Sequence, residues 1–309
     1  MASIMTNASA LTALQSLNAT NKSLESTQSR ISTGYRVATA SDNSAYWSIA
    51  TTMRSDNKAN SVVQDALGLG AGKVDTAYIA MESSISVVDQ IKQKILLAKT
   101  SSAENRAKVQ SEIATYQAQL KDNIGGANYA GSNLLKTGST AADPTKVSVI
   151  SSYNRDSAGV VTTGTIDVAL ANIRLINTVA ATKDGILDKE TATTGTGAVL
   201  VSVLTLNVTV ATLNDQDFDD LLKNVETAIK GMTTGAAELG AAKARIDMQK
   251  DFVSKLMDSI DRGVGQLVDA DMNKESTRLQ ALQVQQQLGI QALSIANSNS
   301  QSILSLFKS

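Results

Sequence analysis

The chain contains neither cysteine nor histidine. Without thiols there is no disulfide framework, thiolate nucleophile or cysteine zinc site. Without imidazole the commonest general base and the commonest transition-metal ligand are gone, so catalysis would have to rest on carboxylates, lysines or hydroxyls. Aromatic residues are only 3% of the 309 positions, and large enzymes usually fill their cores partly with rings. Pro144 is the single proline. An interior proline costs a helix about 3 kcal/mol, so the stretches on either side of it are free to run as long helices. The net charge is -1 with a pI near 5.6, which supplies neither a basic field for nucleic acid nor an acidic tail. These absences lead us to expect no enzyme, no cofactor, no metal and no nucleic-acid partner.

Charge is also missing locally. The first stretch, Met1 to Asn21, and the last, Leu279 to Phe307, contain no charged side chain. At 100° per residue, Leu279, Leu282, Ile290, Leu293 and Leu304 share one face of the last helix, while Val284, Leu288, Ile295 and Leu306 share the opposite one. A helix apolar on two faces needs partners on two sides. The N-terminal stretch, with Ile4, Leu11, Leu14 and Leu17, supplies one, and further copies of the chain supply the other. A membrane span needs about twenty predominantly apolar residues, whereas Gln283, Gln285, Gln286, Gln287, Gln291, Asn297, Asn299 and Gln301 interrupt this one. Uncharged amides suit a helix contact in which an unpaired charge would cost several kcal/mol. No basic segment precedes the N-terminal apolar residues, so a cleaved secretory signal is not expected.

What is present is a long heptad. Positions Phe218, Val225, Met232, Leu239, Ile246, Val253, Ile260 and Leu267 recur every seven residues, beside a seam of mostly small residues that includes Ala228, Gly235, Ala242 and Gly263. If helical throughout, this element is roughly 70–75 Å long. Asp215, Asp217, Asp219 and Asp220 sit at its start, where the helix dipole favours negative charge, and read as a solvated helix start. The first half answers with Leu67, Val74, Met81, Val88 and Ile95, resumed at Val109 and Tyr116 after a polar break over Thr100 to Asn105. Between the halves the period changes. Val147 and Val149, then Val160, Val161, Ile166 and Val168, flank the turn-rich Asn154 to Gly159 and predict a β-hairpin. A β-branched run from Ala198 to Ala211 predicts further strand in a small outer lobe.

Two motifs are decoys. Gly68-Leu69-Gly70-Ala71-Gly72-Lys73 glances toward a phosphate loop, but Leu67 stands where the first glycine belongs and Val74 where Ser or Thr belongs. The Asp215 to Asp220 cluster lacks the glycine and terminal glutamate of a calcium loop.

Ser29-Arg30-Ile31-Ser32-Thr33-Gly34-Tyr35-Arg36-Val37, followed by Ala40-Ser41-Asp42-Asn43, resembles the N-terminal signature of bacterial flagellins. The run from Gln283 to Phe307 resembles their C-terminus, in particular that of alphaproteobacterial and rhizobial members. The resemblance covers about the first 135 and last 95 residues. It implies an extracellular filament subunit for swimming motility, exported by a flagellar type III route. Its partners would be itself and other flagellins, an export chaperone, a filament cap and hook-filament junction proteins, with no membrane contact. A hook-filament junction protein is the alternative. Where many flagellins carry small residues after the Ser-Asp-Asp type motif, this chain has Tyr46 and Trp47.

The expected fold is mainly α: an antiparallel coiled-coil-like rod made from both chain ends, a central β-hairpin and a small β-rich outer lobe. Residues 1–45 and 269–309 are expected to form the inner-tube domain with its linkers. Residues 46–135 and 214–268 form the rod helices, 136–175 its hairpin and 176–213 the outer lobe. Expected assembly residues are Ile4, Leu11, Leu14, Leu17, Leu24, Leu279, Leu282, Leu288, Ile290, Leu293, Ile295, Ile303, Leu306 and Phe307. Expected rod-core residues are Leu67, Val74, Met81, Val88, Ile95, Val225, Met232, Leu239, Ile246, Val253, Ile260 and Leu267. The resemblance places Arg30, Arg36 and Asp42 at the tube-rod junction as a structural charge network.

Overall fold

The computed structural model describes residues 7–156, 158–179, 182–195 and 199–306, with no side-chain description beyond residue 298. Along the chain come α1 (Ala8–Thr33), α2 (Ser44–Lys99) and α3 (Ala103–Gly126), then the short strands β1 (Asn128–Tyr129), β2 (Ser132–Asn133) and β3 (Lys136–Thr137). The hairpin strands β4 (Lys146–Arg155) and β5 (Val161–Ala169) follow, then α4 (Leu170–Ile173), β6 (Ile176–Asn177), β7 (Thr191–Ala192) and β8 (Leu200–Val201). Two long helices close the sequence, α5 (Asp215–Val268) and α6 (Met272–Leu306). The chain is mainly helical, and it divides into two compact units, residues 1–57 with 258–309 and residues 58–257. The divisions fall inside α2 and α5.

In the larger unit, the heptad positions Leu67, Val74, Met81, Val88 and Ile95 of α2 and Val225, Met232, Leu239, Ile246 and Val253 of α5 are buried in one core with Val109, Ile113, Leu120 and Ile124 of α3. Three ion pairs, Asp75 with Lys243, Lys92 with Glu226 and Lys99 with Asp219, step in opposite directions along α2 and α5. They fix the two helices as antiparallel, although exposed pairs of this kind each contribute only about 0–1 kcal/mol. The polar break appears as a turn after Lys99. Arg106 Nε donates to Ala98 O (3.1 Å) and Ser101 O (3.2 Å), satisfying carbonyls at the end of α2. Its guanidinium lies 4.6 Å from the ring centre of the fully buried Phe218.

β4 and β5 form an antiparallel hairpin in which Val147 faces Val168 and Val149 faces Ile166. Asp156 Oδ1 accepts the Ala158 and Val160 amides across the turn, and Gly159 takes φ +84°. Val149 packs where Gly70 has no Cβ, and Tyr129 packs where Gly72 has none. The phosphate-loop look-alike is therefore the interior of α2, with two of its glycines making room for neighbours.

The β-branched run behaves differently from its sequence-based expectation. Among its described residues only Leu200–Val201 is strand, and turns follow to residue 212. Side-chain amides take the place of a partner strand: Gln117 Nε2 donates to Val203 O (3.0 Å) and Leu206 O (3.1 Å), and Gln110 Oε1 accepts the Val208 amide (2.8 Å). Val201, Val203, Leu206 and Val208 are thereby buried in the same core as the helices. The aspartate cluster is also corrected, because Asp217 is fully buried. Asp217 and Asn214 exchange amide bonds of 3.0 Å as a reciprocal cap on α5. Asp217 also accepts the Gly195 amide, and Asp220 accepts from Thr194. The Asn214 amide is the main reason that the Asp217 carboxyl stays below its usual range.

In the smaller unit, α1 starts at Asn7, whose side chain accepts the Ala10 amide at 3.0 Å, and ends at Gly34 with φ +75°. α6 starts at Asp271, which accepts the Asn273 and Lys274 amides. Tyr35 bridges to Asp269, and Val268 O accepts both the Arg36 and Val37 amides. A small core of Val37, Ala50, Val264 and Val268 lies beneath. Ile260 and Leu267, expected at full burial, are only partly buried around it. A straight α-helix drifts by about 20° per heptad, and by this end of α5 burial has moved to Val264 and Val268.

Candidate assembly surface

α1 and α6 pack along one narrow seam. On α1 a half-buried to buried stripe runs through Ala10, Ala13, Leu17, Thr20, Leu24, Thr27 and Ile31, with Ser23 and Arg30 half-buried at its side; on α6 the least exposed positions are Glu275, Leu279, Leu282, Gln286, Gly289, Leu293 and Ala296. Both sets step by three and four residues, so each helix turns one stripe to its partner. Polar contacts mark the seam: Asn7 Nδ2 donates to Ala296 O at 2.9 Å, and Gln286 Nε2 donates to Asn21 Oδ1 at 2.8 Å.

The outward faces carry the remaining expected residues. Leu11 and Leu14 on α1 and Val284, Leu288, Ile290 and Ile295 on α6 are all exposed, Ile295 by 66% and Leu288 by 57%. The 100° spacing groups Ile290 with Leu279, Leu282 and Leu293. The structure corrects that assignment, because Gly289 holds the seam position and turns Ile290 about 100° away from it. Ile4 and Phe307 lie outside the described residues, as do the side chains of Ile303 and Leu306. An apolar residue exposed singly needs no explanation, but a row on an uncharged stretch of helix marks a contact surface.

The junction residues line one pocket of about 350 Å³ with Lys22, Glu25 and Tyr35, yet each is bonded elsewhere. Arg30 Nη1 meets Glu275 Oε1 at 3.3 Å. Arg36 Nη2 donates to Leu267 O at 2.8 Å, and its guanidinium lies 6.0 Å from the Tyr46 ring centre. Asp42 Oδ2 accepts the Ala38 amide (3.1 Å), the Thr39 amide (2.9 Å) and the Thr39 hydroxyl (3.1 Å). Trp47 and Tyr46 remain substantially exposed. Glu275, with only 7% exposure, was not singled out from the sequence. Its one signal is its place in the first turn of α6, where a carboxylate is favoured.

The bond from the Thr39 amide is the largest cause holding the Asp42 carboxyl below its usual range. A carboxyl depressed on folding contributes stability above its unfolded value, near 3.9, and loses that contribution as pH falls through the lower folded value. Asp42→Asn, a mimic of the protonated acid, is expected to lower the thermal midpoint at pH 7. Scans at decreasing pH are expected to show the gap from wild type closing below about pH 4.

Among the described residues no helix is long and apolar enough to cross a membrane. The family described as the bacterial flagellin N-terminal helical region matches residues 4–140, and its C-terminal counterpart matches residues 222–307. A flagellin of Brucella melitensis biotype 1 is 53% identical over 308 residues, with both chains covered in full. Flagellin C of Rhizobium meliloti strain 1021 is 48% identical over 324 residues, again with 100% of each chain covered. Among solved structures, the crystal structure of Bacillus cereus flagellin aligns with a TM-score of 0.38 at 16% identity, covering 62% of this chain and 88% of that one.

Proposed function

Given that the chain belongs to the bacterial flagellin family and is a structural subunit of the flagellar filament, we propose that subunits join through the outward faces of α1 and α6. The row of Leu11, Leu14, Val284, Leu288 and Ile295, apolar and exposed on the uncharged stretches of the two helices, with Ile290 exposed to one side, carries this reading. In an open helical polymer each copy offers the same two unlike patches, and the rotation between copies does not close on itself. Residues 1–45 and 269–309 then supply the inner-tube part of the subunit, and Leu67 to Ile95 with Val225 to Val253 stiffen the rod part. Within the smaller unit, Arg30, Arg36 and Asp42 brace the links from α1 to α2 and from α5 to α6 through Glu275, the Leu267 carbonyl and the Ala38 and Thr39 amides.

Outside the filament the apolar faces need cover. That favours an export chaperone before assembly, and a cap and hook-filament junction proteins as neighbours at the filament's ends. Export uses the flagellar type III route. Elongation tests the reading: purified subunits added to sheared filament seeds are expected to give long filaments by electron microscopy. Growth that stops at short rings would contradict it.

A further inference from the structure

The α6 seam runs through Gly289, a helical residue with ordinary backbone angles, so no turn requires a glycine there. A Cβ built on Gly289 falls 3.2 Å from Leu17 Cδ1. Leu17 therefore sits almost directly on the α6 backbone. The contacts of Asn7 with Ala296, Asn21 with Gln286 and Arg30 with Glu275 belong to the same antiparallel register. Stepping along both helices in that register sets Ala13 opposite Leu293, Leu24 opposite Leu282 and Thr27 opposite Leu279. Small meets large in three layers, and leucine meets leucine in one. A slip of one heptad in one direction sets Leu17 against Leu282 and Leu24 against Glu275. A slip in the other direction sets Leu24 against Gly289 and Thr27 against Gln286. Either slip breaks the Arg30–Glu275 ion pair.

We propose that Gly289 is a positioning residue: the Leu17 knob in the Gly289 hole sets the register of α1 on α6. That register decides which outward side chains, Leu11 and Leu14 on one helix and Val284, Leu288 and Ile295 on the other, are presented together to the next copy. The inference rests on reading those faces as the assembly surface.

Full-length Gly289→Leu tests it beside the double variant Leu17→Ala with Gly289→Leu, which rebuilds the layer with its small and large members exchanged. The critical concentration for elongating wild-type seeds is the readout. Gly289→Leu is expected to raise it at least about tenfold, because overpacking displaces Leu17, and the double variant to return to within about threefold of wild type. Leucine is a far better helix former than glycine, so a position that mattered only for helix stability would improve in the single variant. Wild-type-like elongation by Gly289→Leu, or a double variant no better than the single one, would overturn the proposal. Absence of growth by wild-type subunits in the same buffer would overturn the assembly reading with it, whereas wild-type growth without rescue overturns the register alone.

Discussion

Ile295→Glu is expected to abolish polymerisation while leaving the isolated subunit as stable as wild type. The side chain is 66% exposed on the outward face of α6, so in the free chain glutamate exchanges one solvated group for another, a change usually within about 0.5 kcal/mol. Glutamate is also a good helix former and too short to reach water from a closed contact. Between copies it becomes an unpaired buried charge costing several kcal/mol. At a factor of ten per about 1.4 kcal/mol, the critical concentration rises by at least roughly a hundredfold. Sedimentation of polymer across a concentration series, with thermal scans of the dilute subunit, separates the two effects. A parallel loss of subunit stability would place Ile295 in an intrachain contact instead.

The second large effect lies in the other unit. Phe218→Ala removes a fully buried ring at the start of α5, the ring over which Arg106 stacks while closing the turn between α2 and α3. Truncating a buried phenylalanine costs about 3–5 kcal/mol. For a unit of this size that corresponds to a fall of roughly 6–20 °C in thermal midpoint. Phe218→Leu keeps most of the volume and is expected to lose less than half as much. Equal losses in the two variants would mean that the ring's contact with Arg106, not its bulk, carries the stability.

The buried heptads were legible because a helix repeats its environment. Leu67 to Ile95 and Val225 to Val253 met the same kind of neighbour every second turn, and no loop interrupted the count. The frame failed where geometry shifts gradually, at Ile260 and Leu267, since a sequence repeat of seven does not record how far a straight helix has drifted. Ile290 was misplaced for a different reason. Hydrophobicity alone ranks isoleucine above glycine for a seam, but the close approach of Leu17 gives the seam to Gly289.

The segment after Leu200 carried a strand's composition and formed turns. Gln110 and Gln117 on α3 satisfy its carbonyls and amides from almost a hundred residues away, and no local pattern announces such a partner. Glu275 escaped notice on the same ground, because its significance lies in Arg30 on a distant part of the chain. Arg30, Arg36 and Asp42 emerged through family resemblance, while their separate contacts with Glu275, Leu267 O and the Thr39 amide were visible only in three dimensions.

Electron microscopy of concentrated protein lacking residues 1–33 and 272–309, and with them α1 and α6, beside the intact chain, tests most directly whether the outward faces of α1 and α6 hold the filament together. The intact chain is expected to form long filaments, and the shortened chain to stay folded by circular dichroism and form none. Normal long filaments from the shortened chain would contradict the account.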